Sequence, residues 1–183
     1  LNEKKLVKII KSGGIGVIPT DTIYGLVGLA LNQKTVERIY RLRRRNLKKP
    51  MIILISQVSD LNKFSVNLTP KTYNLKPGTW PPKTSIIFPC LNAKFRYLHR
   101  GTKTLAIRLP KPKKLRDFLK KTGPLVAPSA NIEGRPPAQT VPEAQKYFGS
   151  EIDFYINAGR KISRPSRLVK IENHRMVPVR RSN

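Results

Sequence analysis

The stretch Ile15-Gly16-Val17-Ile18-Pro19-Thr20-Asp21-Thr22-Ile23-Tyr24-Gly25-Leu26-Val27-Gly28-Leu29-Ala30 sets the reading of the fold. Ile15 to Pro19 is a short apolar run between breakers, the pattern of a buried strand. Thr20-Asp21-Thr22 interrupts it as a loop. Tyr24 to Ala30 is a second apolar strand, in which Gly25 and Gly28 mark close approach of another backbone. On the N-terminal side, Asn2 to Ser12 places Leu6, Ile9 and Ile10 on one helical face, and Gly13-Gly14 stops the helix. On the other side Asn32 is an N-cap, and Val36, Ile39 and Tyr40 line a helix that runs into the arginines. On that helix Arg41 and Arg45 share a face, while Arg43 and Arg44 point elsewhere.

Farther out the same alternation continues. Lys48-Lys49-Pro50 closes the helix-and-loop unit, and Met51 to Ile55 is a continuous apolar strand. Residues 57–82 read as a short helix or two with loops. Ser85 to Phe88, Leu105 to Arg108, Leu125 to Ala127, Phe154 to Ile156, Leu168 to Ile171 and Met176 to Val179 read as strands. Pro112-Lys113 opens a helix through Leu115, Phe118 and Leu119 that Gly123 closes, and Glu143 to Phe148 is a helix closed by Gly149. Strands alternating with helices imply an α/β fold around a twisted, mixed sheet with flanking helices. With no repeat, low-complexity tract or linker composition, residues 1–183 read as one domain, long enough to bury a core.

Composition narrows the chemistry. No apolar stretch approaches the roughly 20 residues needed to span a bilayer. The first residues look like a helix start and not a signal peptide. Cys90 is the lone cysteine, so no internal disulfide forms and a reducing, cytoplasmic location is expected. Two histidines, His99 and His174, lie far apart in sequence, which argues against a protein-held zinc. There is neither a Gly-x-Ser-x-Gly elbow nor a Gly-rich Lys-Ser/Thr phosphate loop. Thirty-seven Lys and Arg against ten Asp and Glu give a formal charge of +27, a field that attracts polyanions without naming which. ATP, RNA, DNA and an anionic membrane surface are all compatible with charge alone, and individual lysines outside the clusters are as well read as solvated surface.

Four polar clusters follow strand ends. Pro19-Thr20-Asp21-Thr22 offers short hydroxyls where open α/β sheets bind ligands, although such residues also suit a plain turn. Arg41-Leu42-Arg43-Arg44-Arg45, continuing to Lys48-Lys49-Pro50, gathers guanidiniums whose mutual repulsion disfavours a merely structural role and whose forks fit phosphate and carboxylate. A solvated basic face or an RNA-contact strip reads equally well there. Ala127-Pro128-Ser129-Ala130-Asn131-Ile132-Glu133-Gly134-Arg135-Pro136 presents a hydroxyl and an amide one residue apart, and a capped turn would look the same. Asn157-Ala158-Gly159-Arg160 with Arg164-Pro165-Ser166-Arg167 also reads as a surface loop.

Each cluster is weak alone; their order is specific. Ile18 to Leu26, the Ile39-Tyr40-x-Leu-Arg43-x-Arg45 segment ending in Lys49-Pro50, Trp80-Pro81, Leu105 to Pro110, Ala127 to Asn131 with Gly134-Arg135-Pro136, and Pro165-Ser166 together resemble the YrdC family of threonylcarbamoyl-AMP synthases over nearly the whole chain. The resemblance implies a single YrdC-like domain with a concave, positively charged face. It also implies a nucleotidyltransferase that condenses L-threonine, bicarbonate and ATP into threonylcarbamoyl-AMP and pyrophosphate. A threonylcarbamoyl-transferase complex then delivers the group to the adenosine beside the anticodon of ANN-decoding tRNAs.

By the same resemblance, the Lys-x-Arg motif falls on Arg43 and Arg45, with Arg43 in place of the usual Lys, and Ser129 and Asn131 form the Ser-x-Asn motif. These four are the implied catalytic residues. Thr22, Lys49, Arg108 and Ser129 would surround threonine, Lys49 standing where many relatives carry His or Asn. Tyr40, Arg43, Arg45, Thr104, Asn131, Thr140, Ser166 and Arg180 would surround ATP. Arg167 replaces a frequent Thr, and Pro82 the Gly of Trp-Pro-Gly. Mg²⁺ would arrive with ATP and not be bound by protein ligands. The chain looks like the minimal, single-domain form. Two other readings are a non-catalytic RNA-binding protein using the same basic face, with direct tRNA or other RNA binding, and a carbamoyltransferase module of the kind found inside larger hydrogenase-maturation enzymes.

Overall fold

Residues 2–66, 80–172 and 175–180 are described by the structure, a computed structural model of the chain. The helices are α1 (Glu3–Lys11), α2 (Gln33–Leu42), α3 (Arg96–His99), α4 (Lys113–Thr122) and α5 (Val141–Phe148). The strands are β1 (Gly16–Pro19), β2 (Tyr24–Leu29), β3 (Ile53–Leu54), β4 (Thr84–Pro89), β5 (Thr104–Arg108), β6 (Leu125–Val126), β7 (Phe154–Tyr155), β8 (Arg167–Glu172) and β9 (Arg175–Arg180). They form one twisted mixed sheet in the order β7-β1-β2-β6-β3-β5-β4-β8-β9. β1 pairs in parallel with β7, β3 with β5 and β4 with β8, and the other neighbours are antiparallel.

The opening stretch is the antiparallel pair β1-β2, with Pro19 opposite Tyr24 and Gly16 opposite Val27. Its glycines have the role their positions suggest. A Cβ on Gly28 would lie 2.4 Å from Thr35 Cγ2, so α2 sits directly on β2 at that point. Gly25 bridges to Ser129, and a Cβ there would meet Thr20 Cγ2 at 3.1 Å. The caps read from sequence are in place: Asn2 Oδ1 accepts from Lys5 N–H at 2.9 Å, and Asn32 Oδ1 from Thr35 N–H at 3.1 Å.

Each sheet face has its own core. On one, Val36, Ile39 and Tyr40 of α2, Leu98 of α3 and Ala144 and Phe148 of α5 pack on Tyr24, Leu26, Ile53, Leu105 and Ile107. On the other, Leu6 and Ile10 of α1 and Phe118 and Leu119 of α4 cover Ile18, Val27, Leu54, Leu125 and Phe154, which are contributed by β1, β2, β3, β6 and β7. Along β5, Leu105 and Ile107 are buried while Thr104 and Ala106 are partly exposed. Period-two alternation therefore leaves that second face open beyond β3.

Three expectations change. The helix expected to run through the arginines ends at Leu42, with Arg43 as its C-cap. Arg44 takes a left-handed conformation at φ 48, and Arg45 N–H folds back to Tyr40 O at 3.0 Å. This reversal is the usual way to satisfy terminal carbonyls, here without glycine. The strand expected over Met51–Ile55 pairs as a strand only at Ile53–Leu54, because flanking backbone bonds go to loop partners such as Ala127 N–H to Ile52 O. Within 57–82 a 3-10 helix covers Val58–Phe64, and residues 67–79 lie outside the described residues. The 3-10 turn Ala93–Phe95 and the four-residue α3 were not foreseen, being too short for a hydrophobic period to register.

Candidate active site

A cleft of about 630 Å³ opens where three sequence-distant segments meet. Thr20 and Thr22 come from the β1-β2 link, Arg43, Arg45 and Lys49 from the loop after α2, and Ser129 and Asn131 from the turn after β6. Ala106 and Arg108 of β5 and Ser166 and Leu168 at the start of β8 complete it. The volume suits a small-molecule ligand. Arg43, Arg45, Lys49, Arg108 and Arg135 line it, and among the described lining residues Glu133 is the acid.

Backbone pairing places the Ser-x-Asn turn. Past Val126 the chain continues along β2: Leu26 N–H donates to Pro128 O at 2.9 Å and Ala130 N–H to Tyr24 O at 3.0 Å. Ser129 thus lies opposite Gly25, whose missing side chain leaves the cleft open. Ser129 Oγ donates to Asn131 Oδ1 at 2.6 Å. The Asn131 amide nitrogen donates to Ile132 O at 2.9 Å and Arg135 O at 2.6 Å, which fixes its oxygen toward Ser129 and Arg43.

Arg43 joins this turn to the arginine loop. Its Nε donates to Asn131 O at 2.9 Å, and its Nη2 to Asn131 Oδ1 at 2.9 Å and Ser129 Oγ at 3.2 Å. The residue is 3% exposed, and Nη1 is buried without a hydrogen-bond partner among the described residues. Burial, aided by the neighbouring charge of Arg45, lowers its pKa to about 10, so it still carries its charge at neutral pH. Arg43 and Arg45 face the cleft and Arg44 is exposed, which corrects the helical projection that paired Arg41 with Arg45.

Arg45 is half-buried, and its Nε and Nη2 donate to Lys49 O at 3.1 Å and Pro50 O at 2.9 Å, tightening the loop. Lys49 Nζ lies 2.9 Å from Glu133 Oε1. The same carboxylate accepts from Asn46 N–H, and that bond, with Lys49, lowers the Glu133 pKa. Glu133 N–H in turn donates to Arg43 O at 2.8 Å. On another wall Arg108 is buried; its Nη2 is 3.1 Å from Asp21 Oδ1, and its Nη1 donates to Thr22 Oγ1 at 3.4 Å. Burial lowers the Arg108 pKa and Asp21 opposes the shift.

Thr22, Arg43, Arg45, Lys49, Arg108, Ser129, Asn131 and Ser166 therefore converge. Ser166 is held by a 2.9 Å contact with Ser85 Oγ. Three expected ATP residues fall outside the lining. Tyr40 is buried on the core face of α2, its hydroxyl donating to Lys49 O at 3.0 Å and its ring lying under the Arg100 guanidinium. Thr104 bonds to Thr102 Oγ1 at 3.1 Å and stands at the far end of β5, four steps of about 3.3 Å from Arg108. Thr140 caps α5, its Oγ1 accepting from Glu143 N–H. Arg180 pairs through its backbone with cleft-lining Leu168, and its side chain lies outside what is described. Asp21 and Glu133 were not among the expected site residues. They stand beside the Thr and Asn that were, but nothing local signals their ion pairs with Arg108 and Lys49, partners 87 and 84 positions away.

Among the described residues, no three His, Cys, Asp or Glu side chains gather as a metal site, and no helix is long and apolar enough to cross a membrane. Known proteins match most of the length of the chain. The family model of the Sua5/YciO/YrdC proteins, described as "Telomere recombination", matches residues 8–182. A curated protein of Methanocaldococcus jannaschii is 32% identical over 196 residues, covering 98% of this chain and 88% of its own length. The threonylcarbamoyl-AMP synthase of Nitrosococcus oceani is 30% identical over 150 residues, with 81% of each chain covered. The crystal structure of Pyrococcus abyssi Sua5 complexed with L-threonine superposes with a TM-score of 0.83 at 25% identity. That match covers 98% of this chain and 54% of that one, so the chain spans about half the Sua5 length.

Proposed function

The chain belongs to the Sua5/YciO/YrdC family, and from that membership and the cleft we propose that it is an L-threonylcarbamoyladenylate synthase. It condenses L-threonine, bicarbonate and ATP into threonylcarbamoyl-AMP and pyrophosphate for threonylcarbamoyladenosine formation in tRNA. The observation that carries the reading is Arg43 bonded at once to Ser129 and Asn131, in a cleft whose other wall holds Arg108 against Thr22. Two cationic sites in one cavity suit two anionic substrates that repel each other in solution.

The amino group of threonine takes up bicarbonate carbon with loss of water to form a carbamate. A carbamate oxygen attacks the α-phosphorus of ATP, and pyrophosphate leaves. Nothing becomes attached to the protein, so its work is positioning and charge stabilisation. Arg43 and Arg45 face the phosphates, Asn131 and Ser129 hold the donors around the transferring group, and Ser166 lines the nucleotide side. Arg108, with Thr22, takes the threonine carboxylate as a fork takes two oxygens. Lys49 stands ready for a substrate anion once Glu133 yields it.

The carboxylates in and behind the cleft wall do not suit a protein-held cation, because Glu133 faces Lys49 and Asp21 faces Arg108. Mg²⁺ would therefore travel with ATP on phosphate oxygens and water, neutralising part of the triphosphate's charge. Residues 1–183 act as one catalytic domain in the cytoplasm, and the product passes to a threonylcarbamoyl-transferase complex. The test is pyrophosphate release from ATP, bicarbonate and Mg²⁺ with and without L-threonine. Release dependent on both threonine and bicarbonate is expected. A pure, folded sample that binds RNA in a salt-sensitive way but shows no such dependence would instead be the non-catalytic RNA-binding protein.

A further inference from the structure

We propose that Asp21, buried behind the cleft wall, is a positioning residue that fixes Arg108 for the substrate's carboxylate and keeps phosphate from that subsite. The proposal rests on the reading of the protein as a synthase acting on L-threonine.

Asp21 does not line the cleft, whereas Arg108 does. Both side chains are 4% exposed, and they meet at 3.1 Å. Neither carboxylate oxygen of Asp21 accepts a hydrogen bond among the described residues, so the ion pair is its compensation for burial. The β1-β2 link supplies a second contact to the same guanidinium. Thr22 Oγ1 accepts from Arg108 Nη1 at 3.4 Å and sits 3.2 Å from Thr20 Oγ1, which is anchored on Ile23 O at 2.7 Å.

Thr22 thus takes one N–H of Arg108, Asp21 lies against Nη2 as its ion-pair partner, and Nε is buried without a hydrogen-bond partner among the described residues. The remaining donors form a pre-set fork for one carboxylate. Asp21 also cancels the charge of Arg108 before substrate arrives. In a chain of formal charge +27, a bare Arg108 would draw phosphate into the amino-acid subsite as readily as carboxylate. With Asp21 present, recognition there depends on donor geometry, and the triphosphate is left to Arg43 and Arg45.

The test is calorimetric titration of the full chain with L-threonine and, separately, with ATP, for the wild type, Asp21→Asn, Arg108→Gln and the double variant. Asp21→Asn should weaken threonine binding about tenfold or more, in line with loss of a buried ion-pair support, and leave ATP affinity unchanged or tighter. The double variant should match Arg108→Gln alone, since Asp21 acts through Arg108. It also removes both buried charges, so it guards against a fold lost to one unpaired charge. Wild-type threonine affinity in Asp21→Asn, or equal weakening of threonine and ATP, overturns the proposal. So does a wild type that binds no threonine. A wild type that binds threonine but releases no pyrophosphate removes the synthase reading and leaves the role of Asp21 decided by the same titrations.

Discussion

At Arg43 a guanidinium is kept inside the protein by three hydrogen bonds to a turn 86 to 88 residues away. Two separate nitrogens, Nε and Nη2, share the acceptors Asn131 O, Asn131 Oδ1 and Ser129 Oγ, a fixed spacing that a lysine ammonium lacks. The arginine therefore ties the loop after α2 to the Ser129–Asn131 turn. Arg43→Ala should destabilise the fold by about 1–3 kcal/mol through lost charged hydrogen bonds, and should lower kcat by about a hundredfold through loss of a preorganised donor. Arg43→Lys should keep the charge and stay within about tenfold of wild type. Pyrophosphate assays with thermal melts would check both, and an alanine variant with wild-type kcat would remove Arg43 from the site. The residue types at 43, 45, 129 and 131 were legible because they sit in recognisable order. The engagement of Asp21 and Glu133 was not, because an ion pair with a residue more than 80 positions away has no local spacing.

Elements differ in how much local sequence decides them. α1, α4 and α5 each carry an apolar stripe and a stop or cap, and their observed bounds lie within two residues of those read from the pattern; α2 starts at its Asn32 cap as read but stops at Leu42, short of the arginines. β3 and α3 are too short for either signal. The 3-10 helix Val58–Phe64 depends on one carboxylate: Asp60 Oδ2 accepts from Ser56 N–H at 2.9 Å and Ser56 Oγ at 2.7 Å, and Oδ1 lies 2.7 Å from Lys63 Nζ. Burial alone would raise the Asp60 pKa, but Lys63 and Ser56 outweigh it and the value is lowered. A depressed carboxylate contributes stability that is complete above its unfolded value near pH 4 and is lost as pH falls through its folded value. Asp60→Asn should therefore unfold more easily than wild type by about 1 kcal/mol at neutral pH, with the two curves converging as pH falls through the lowered folded value. Denaturant titrations from pH 7 to pH 2.5 would show this. A gap that persists at low pH would place the contribution elsewhere.

Across the whole molecule, the same charge that draws anionic substrates works against the fold. Eight ion pairs are seen among the described residues, several of them exposed, in a chain whose formal charge is +27. Unpaired lysines and arginines repel across the surface at distances that about 0.15 M salt screens within roughly 8 Å. Raising NaCl from 50 to 300 mM should therefore raise the melting temperature while weakening ATP binding, because screening relieves self-repulsion and steering alike. Melting curves and ATP titrations in the same buffers would test the pair of trends. A melting temperature that falls with salt would mean that the ion pairs outweigh the repulsion.

Local sequence is enough for the α/β class, the positions of most helices and strands, and the polar clusters whose members line the cleft. Period, caps and breakers act over a few residues and are written locally. Tertiary structure decided which members of those clusters meet. The left-handed turn at Arg44 sends Arg43 and Arg45 into the cleft, the continuation of β6 along β2 sets Ser129 opposite Gly25, and sheet order brings Arg108 to Asp21. It also left Tyr40, Thr104 and Thr140 outside the cleft lining, to packing, a strand end and a helix cap. The reason is physical: an active-site contact is a pairing across the sheet, and its partners are chosen by strand order and register, which no single stretch of chain encodes.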